Sequence, residues 1–570
     1  MKTIFTFLLF CCFHHLAAQN SSNVLNASAG LSAKATVFSS LKSNNNEWYV
    51  LGTTEDSLYL STSSYSCTGK NIFLSQIGST GNTNWSRFIK YNSSVKTAGL
   101  VKDGTGNIYI TALAVDGIEV NGQSYPWSGS KYVVIKYDAS GNFVWLSTLS
   151  THPTMPYAPT VGISNTDLLL VVTAQDSLVT NNQNISFNNN DLKICVVKMD
   201  FSGQVNNIVT IEGTGDVNTV TGEPIINTAN ELFIACQAFK GDTLKLNGNI
   251  VVGGSQAQSG FFIIKTDGTL NNITANTFVS ASRYANTNKT SNITSLSLSP
   301  TGALYLAGIF ADSISAGNHT ITNFNAPNPV GLTDNFLLAL DKDLHVKWLN
   351  RIGAQNNNDW IGGVAAANNG KVYITGTADG NIHIGAQTLS IPTNHRECYL
   401  IELDTNGVML NSKLSVSLAP LSAGIATPNG LSLSSDGALL IFGRTNADII
   451  FENDTLFRKS IESGFVWHTS FMTTGFPLLE NNQRIFNGFI YPNPVANDAY
   501  VQLILPEEKH LKIQIVSATG YGLYRIPLQK YSKGVHTIHL PFSNVAAGVY
   551  ICQIIDRENK IMDTSKIIKK

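Results

Sequence analysis

Charge is scarce in this chain. Asp, Glu, Lys and Arg make up only 13% of 570 residues, and the net charge is −1. Without a basic excess there is no electrostatic footprint for a phosphate backbone, so nucleic acid is not an expected partner. Cysteine is sparse too. Beyond Cys11 and Cys12 near the start, only Cys67, Cys195, Cys236, Cys398 and Cys552 remain. Their number is odd and none sits in a CxxC pair, so neither a disulfide framework nor a structural zinc site is expected, and no other metal or cofactor is implied. They read as small buried hydrophobes. HExxH, GxSxG and a phosphate-cradling glycine loop are all missing, and with them the simplest signs of an enzyme. Past the first residues, no apolar run is long enough to cross a membrane as a helix.

What is present is apolar material and turn formers. Hydrophobic residues make up 43% of the chain, ample for a core. The polar residues are mostly Asn, Ser, Thr and Gly, which favour turns over long helices. Lys2, the apolar run Ile4 to Cys12 and the small residues of Leu16-Ala17-Ala18-Gln19 read as a signal peptide over 1–19. A lipoprotein signal using Cys11 or Cys12 is the weaker alternative, because bulky Phe10 precedes them.

One strand recurs seven times, as Glu47-Trp-Tyr-Val-Leu-Gly, Asn107-Ile-Tyr-Ile-Thr-Ala, Asp167-Leu-Leu-Leu-Val-Val, Glu231-Leu-Phe-Ile-Ala-Cys, Ala303-Leu-Tyr-Leu-Ala-Gly, Lys371-Val-Tyr-Ile-Thr-Gly and Ala438-Leu-Leu-Ile-Phe-Gly. Such runs suit a strand buried on both faces. Their sixth position holds Gly52, Gly308, Gly376, Gly443 or the smaller side chains Ala112, Val172 and Cys236, which marks a close-packing site. A second apolar strand recurs between them. Five of its copies end at Asp138, Asp200, Asp267, Asp341 and Asp404, and three of those have Gly three residues on, a type I turn signature. Trp85, Trp145 and Trp348 sit at matching places in the strand that follows. With a weaker strand upstream, each unit has four strands, A to D. Four-stranded sheets repeated radially give an all-β, seven-bladed β-propeller over 20–475. The last unit lacks a clear D strand, and Asn23-Val-Leu-Asn-Ala is expected to supply it, closing the ring and covering an edge.

Asn358-Asp-Trp-Ile-Gly-Gly-Val-Ala-Ala-Ala-Asn-Asn-Gly-Lys-Val-Tyr-Ile-Thr-Gly and Asp334-Asn-Phe-Leu-Leu-Ala-Leu-Asp resemble the SBBP-type bacterial propeller repeat. The likeness implies fold more than activity. Ser434-Ser-Asp-Gly-Ala-Leu-Leu lacks the Thr-Trp ending that an Asp-box of sialidase propellers would carry.

After Gly475 the pattern changes. A linker over 476–488 leads to alternating strands that suggest a small β-sandwich. The stretch 489–570, with Tyr491, Pro492, Asn493, Pro494, a Gly520 turn, Gly548, Tyr550 and the basic end Lys569 and Lys570, resembles the type A sorting domain of type IX secretion. That resemblance implies handling by the type IX machinery, passage through the periplasm, and a secreted or outer-surface location.

Propellers bind where D-to-A and B-to-C loops gather around the axis. His152 and Tyr157 in one D-to-A loop, and Arg351, Asp359 and Trp360 in another, are the candidate ligand contacts. Tyr125 and Trp127 offer a small aromatic platform in a B-to-C excursion. No catalytic residue is assigned. The competing reading is that these residues simply pack loops and blades. The sequence therefore points to a non-enzymatic binding or adhesion module for an extracellular glycan, peptide or protein. The alternative is a carbohydrate-active enzyme, glycosidase or lyase, on the same scaffold.

Overall fold

The computed structural model describes residues 23–570 apart from 470–488 and shorter connecting stretches of at most eleven residues. The expected signal peptide over 1–19 and the linker over 476–488 lie outside the described residues. The chain divides into two compact units, Met1–Met472 and Thr473–Lys570. The described residues form strands and no helix.

The first unit holds seven six-stranded antiparallel sheets. The fifth is representative. Its A to D strands are Asn292–Leu298, Leu304–Phe310, Asp334–Leu340 and Val346–Gly353, followed by the short strands Ile382–Ile384 and Gln387–Leu389. The B and C strands are buried on both faces because consecutive sheets stack against each. Seven hydrophobic clusters lie between successive sheets. One of them joins Val37, Val50 and Phe73 of the first sheet to Leu440, Phe442 and Val466 of the seventh. The A strands neighbour one another in chain order, and the A strand of the seventh sheet, Ala426–Leu433, neighbours that of the first, Ala35–Lys42. In the seventh sheet the fourth strand is Asn23–Ser28, which pairs antiparallel with Ser463–Thr469 from Asn23 opposite His468 to Ala27 opposite Gly464.

Six strands per sheet, rather than four, correct the sequence reading. The long B-to-C excursion of each unit forms a short hairpin that pairs with the D strand of the preceding sheet. Thus Ile118–Val120, after the second B strand, pairs with Thr83–Tyr91 of the first sheet. Leu58–Leu60, after the first B strand, pairs with Asn23–Ser28 in the seventh. The excursions are therefore edge strands that cover D, which would otherwise present unpaired backbone groups.

Two local devices set the spacing between strands. At five A strands the pairing shifts register, as between Val37 and Ser39 or Ile293 and Ser295, which marks a β-bulge. The bulge pushes a carbonyl towards the sixth position of strand B. A Cβ on Gly308 would lie 2.3 Å from Asn292 O and 2.6 Å from the Phe336 ring, so glycine there answers to space.

The C-to-D turns are the second device. Asp138 Oδ1 accepts the amides of Ser140 and Asn142 at 2.9 and 2.8 Å, and Asp200, Asp267, Asp341 and Asp404 repeat the pattern. Three residues after each Asp the backbone turns to positive φ. Gly141, Gly203 and Gly407 stand there in three turns, but Leu270 and Leu344 stand there in the other two, both at φ 63. The preceding sheet accounts for the difference. Trp85, Trp145 and Trp348 of its D strand lie against Gly141, Gly203 and Gly407. The D-strand residues at the same register before Leu270 and Leu344 are Asn207 and Ala275. Leucine fills the volume that tryptophan fills elsewhere, and its burial outweighs about 1–2 kcal/mol of left-handed strain.

The second unit has a three-stranded sheet of Phe489–Tyr491, Asp498–Leu505 and Gly534–Pro541, and a four-stranded sheet of Gly522–Tyr531, Lys509–Ser517, Gly548–Asp556 and Ile561–Lys569. Val501, Leu503, Ile513, Ile515, Cys552 and Ile567 share one core. The basic end is an ordered edge strand. Val495 N donates to Ile568 O at 2.7 Å and Lys570 N to Val495 O at 2.9 Å.

Candidate binding site

The described part of the fifth sheet carries the chemistry. Arg351 is near the end of strand D, Val346–Gly353. Its guanidinium lies 3.3 Å from the centre of the Phe324 ring, and its Nη1 donates to Thr322 O. Phe324 in turn lies 5.2 Å from the His383 ring, centre to centre. These side chains, with Thr320, Thr322 and Asn350, line a cavity of about 370 Å³. The B-to-C hairpin of the fifth unit, Ser313–Ala316 and His319–Thr322, forms one wall, and the short strand Ile382–Ile384 forms another. A guanidinium held over an aromatic ring is restrained, and its planar set of N–H donors suits carboxylate, hydroxyl or amide oxygens.

Behind this wall lies a buried acidic pair. Asp334, 0% exposed, accepts Phe324 N at 2.7 Å through Oδ2, so it fixes the backbone of the residue beneath Arg351. Asp359, 2% exposed, accepts Ala354 N at 2.7 Å through Oδ2. Burial pushes Asp334 up to about 6, against the pull of the Phe324 amide and of Arg351. Burial pushes Asp359 up to about 8, against the Ala354 amide, with the charge of Asp334 adding to the rise. Burial lowers Arg351 from its usual value, and Asp334 partly restores it.

The five expected contacts do not form one cluster. Arg351 lines the cavity, whereas Asp359 is buried beside Gly353. Trp360 is 40% exposed, and its Nε1 donates to Pro428 O of the seventh sheet at 3.3 Å. His152 closes the strand Phe143–His152, with its backbone opposite Ser177. Its side chain, Tyr157, Pro492 and Asn493 lie outside the described residues. Tyr125 and Trp127 make no platform, because each is turned to packing. Tyr125 meets Phe143 at 6.4 Å between ring centres, and Trp127 Nε1 donates to Ala114 O at 3.4 Å. In the C-terminal unit, Tyr550 OH donates to Ala546 O at 2.8 Å, Lys569 Nζ donates to Ala496 O, and Gly548 pairs opposite Lys569. Tyr491 belongs to the strand Phe489–Tyr491, and Pro494 is exposed.

Sequence reasoning missed Phe324, His383 and Asp334. The usable signal was Asp334, an acid opening a C strand that is apolar from Phe336 onward. One further trio among the described residues, Asp341, Asp343 and His345, is close-set but stands on a C-to-D turn, where Asp341 Oδ1 already holds two amides.

Residues 489–570 match the model of the secretion system C-terminal sorting domain. That domain directs export by type IX secretion to the cell surface or extracellular space. No helix among the described residues is long and apolar enough to cross a membrane. No curated protein matches the chain in sequence. Similar solved structures include PorZ of Porphyromonas gingivalis, an essential surface component of the type IX secretion system. It is 11% identical over 95% of this chain and 99% of that chain, with a TM-score of 0.16. An endosialidase of phage phi92 is 10% identical over 96% and 87%, with a TM-score of 0.32. A luciferin-regenerating enzyme is 9% identical over 68% and 94%, with a TM-score of 0.29. Likenesses this distant carry no functional implication.

Proposed function

We propose that residues 20–475 form a closed seven-bladed propeller of the SBBP-repeat type, acting as a non-enzymatic binding or adhesion module at the cell surface or outside the cell. Support for the ring comes from the cyclic order of the A strands and from the hydrophobic cluster shared by the first and seventh sheets. The observation that carries the binding role is the cavity beside Arg351. Its planar cation, aromatic floor and ring of hydroxyl and amide groups suit a glycan or peptide with exposed oxygens. His152, Tyr157 and Trp360 remain secondary contact candidates. An enzyme on this scaffold would need two or more convergent acids, or a His/Tyr/Arg cluster, at the axial face. The acids brought together here, Asp334 and Asp359, are buried, which disfavours a glycosidase.

A glycan and peptide array probed with the full-length protein tests this reading. Arg351→Ala and Phe324→Ala are each expected to weaken the selected ligand at least tenfold, measured by titration calorimetry. Ligands whose affinity neither substitution changes would place the binding site elsewhere.

A further inference from the structure

We propose that a divalent cation of the calcium class binds between Asp334 and Asp359, where the chain crosses from the fifth sheet to the sixth. The two carboxyls come from different elements. Asp334 opens strand C of the fifth sheet, and Asp359 ends the connection into strand A of the sixth, Trp360–Ala366. Between them stands Gly353. The point its Cβ would occupy lies 2.9 Å from Asp334 Oδ1 and 3.1 Å from Asp359 Oδ2, so any other residue would fill this space. Each carboxyl has one oxygen held by a backbone amide. The other oxygen, Oδ1 in both, has no hydrogen-bond partner although both residues are buried. A buried, ionised carboxylate oxygen left without a partner is strongly unfavourable, so either a proton or a cation must meet it.

The repeats supply an internal control. In the third sheet the same two places hold Lys193 and Glu212, which pair across the strands in an ion pair of 2.9 Å. In the first sheet they hold Asn71 and Lys90, and in the fourth Gly260 and Ser280. In the fifth, Asn335 pairs with Ile352, which sets Asp334 against Gly353. Asp334 therefore faces no cross-strand cation here, and Asp359 adds a second buried carboxyl. Two nearby cations, Arg351 by Asp334 and Arg396 by Asp359, favour the charged forms while making their own contacts elsewhere. Arg351 is held by Thr322 O and Phe324, and Arg396 bridges Asp379 at 3.1 Å. A hard divalent ion beside Gly353 would neutralise both carboxylates at once, take Asp334 Oδ1 and an oxygen of Asp359, and complete its shell with water. Bound there, it would tie the C strand of the fifth sheet to the entry of the A strand of the sixth. This inference is independent of the ligand-binding reading.

The test is calcium titration of the full-length, chelator-stripped protein, followed by calorimetry and thermal melting. The expected result is binding with a Kd of about 10⁻⁴–10⁻³ M, the range of extracellular calcium modules, and a higher melting temperature in millimolar calcium. Asp334→Asn and Asp359→Asn, both nearly isosteric, should each weaken binding at least tenfold. Asp341→Asn, on the exposed turn, should leave it unchanged. No calcium binding by the wild-type protein, or undiminished affinity in Asp359→Asn, would overturn the proposal. Should the variants fail to fold, terbium luminescence of the wild-type protein decides. A calcium-displaceable signal excited through the neighbouring Trp360 supports the site, and its absence refutes it.

Discussion

Asp103 shows how much a single turn acid can hold. Its Oδ1 accepts the amides of Thr105 and Asn107, each at 2.9 Å, and the Thr105 hydroxyl at 2.8 Å. Its Oδ2 accepts Asn107 Nδ2 at 2.8 Å and Tyr109 OH at 2.9 Å. Burial alone would raise its pKa, but these hydrogen bonds outweigh it and hold the carboxyl below the usual carboxylate value. The folded pKa is therefore depressed. Its contribution to stability is fully present above the unfolded value of about 3.9 and is lost as pH falls through the folded value. Asp103→Asn leaves one side-chain oxygen for these donors and is expected to cost about 1–3 kcal/mol at pH 7. It should also flatten the loss of stability below about pH 4. Urea unfolding midpoints between pH 7 and pH 3 check both outcomes. The sequence disclosed such acids as turn residues, because Asp and Gly at fixed offsets state a local geometry. It did not disclose the acid pair behind Arg351, since Asp334 and Asp359 meet only through tertiary packing around Gly353.

At the scale of elements, the exchange between D-strand tryptophan and turn glycine makes a coupled prediction. Ala275 packs against the cluster that contains Leu344. Ala275→Trp alone should overpack this space and cost about 1–3 kcal/mol. Leu344→Gly alone should leave a hole and cost about 2–5 kcal/mol, less the strain it relieves. Together they recreate the arrangement of Trp348 on Gly407, so the double variant should be at least ~1 kcal/mol more stable than the sum of the single effects. A double-mutant cycle in urea measures this coupling, and simple additivity would contradict it. Strand positions were legible because B and C are apolar throughout. The outer hairpins were not, since strands such as Ile118–Val120 and Gln123–Tyr125 are too short to set a period and look like loop. That is why Tyr125 and Trp127 read as a platform when they pack an edge.

For the whole molecule, separate facts point one way: seven sheets from seven repeats, a core between each successive pair, and the hairpin rule continuing from the first unit back into the seventh sheet. The repeat number and the exported C-terminal unit were legible in sequence, the first from recurrence and the second from motif order. Ligand chemistry was not, because the cavity draws residues from hairpins of two units. The central claim is that the chain closes on itself through Asn23–Ser28. In an open array, deleting that strand would loosen only the first unit. In a closed ring it must loosen the last, whose strand Ser463–Thr469 it covers. Hydrogen exchange of the protein with and without residues 23–28 separates the two. Faster exchange at Ser463–Thr469 is the predicted result, and unchanged protection there would contradict closure.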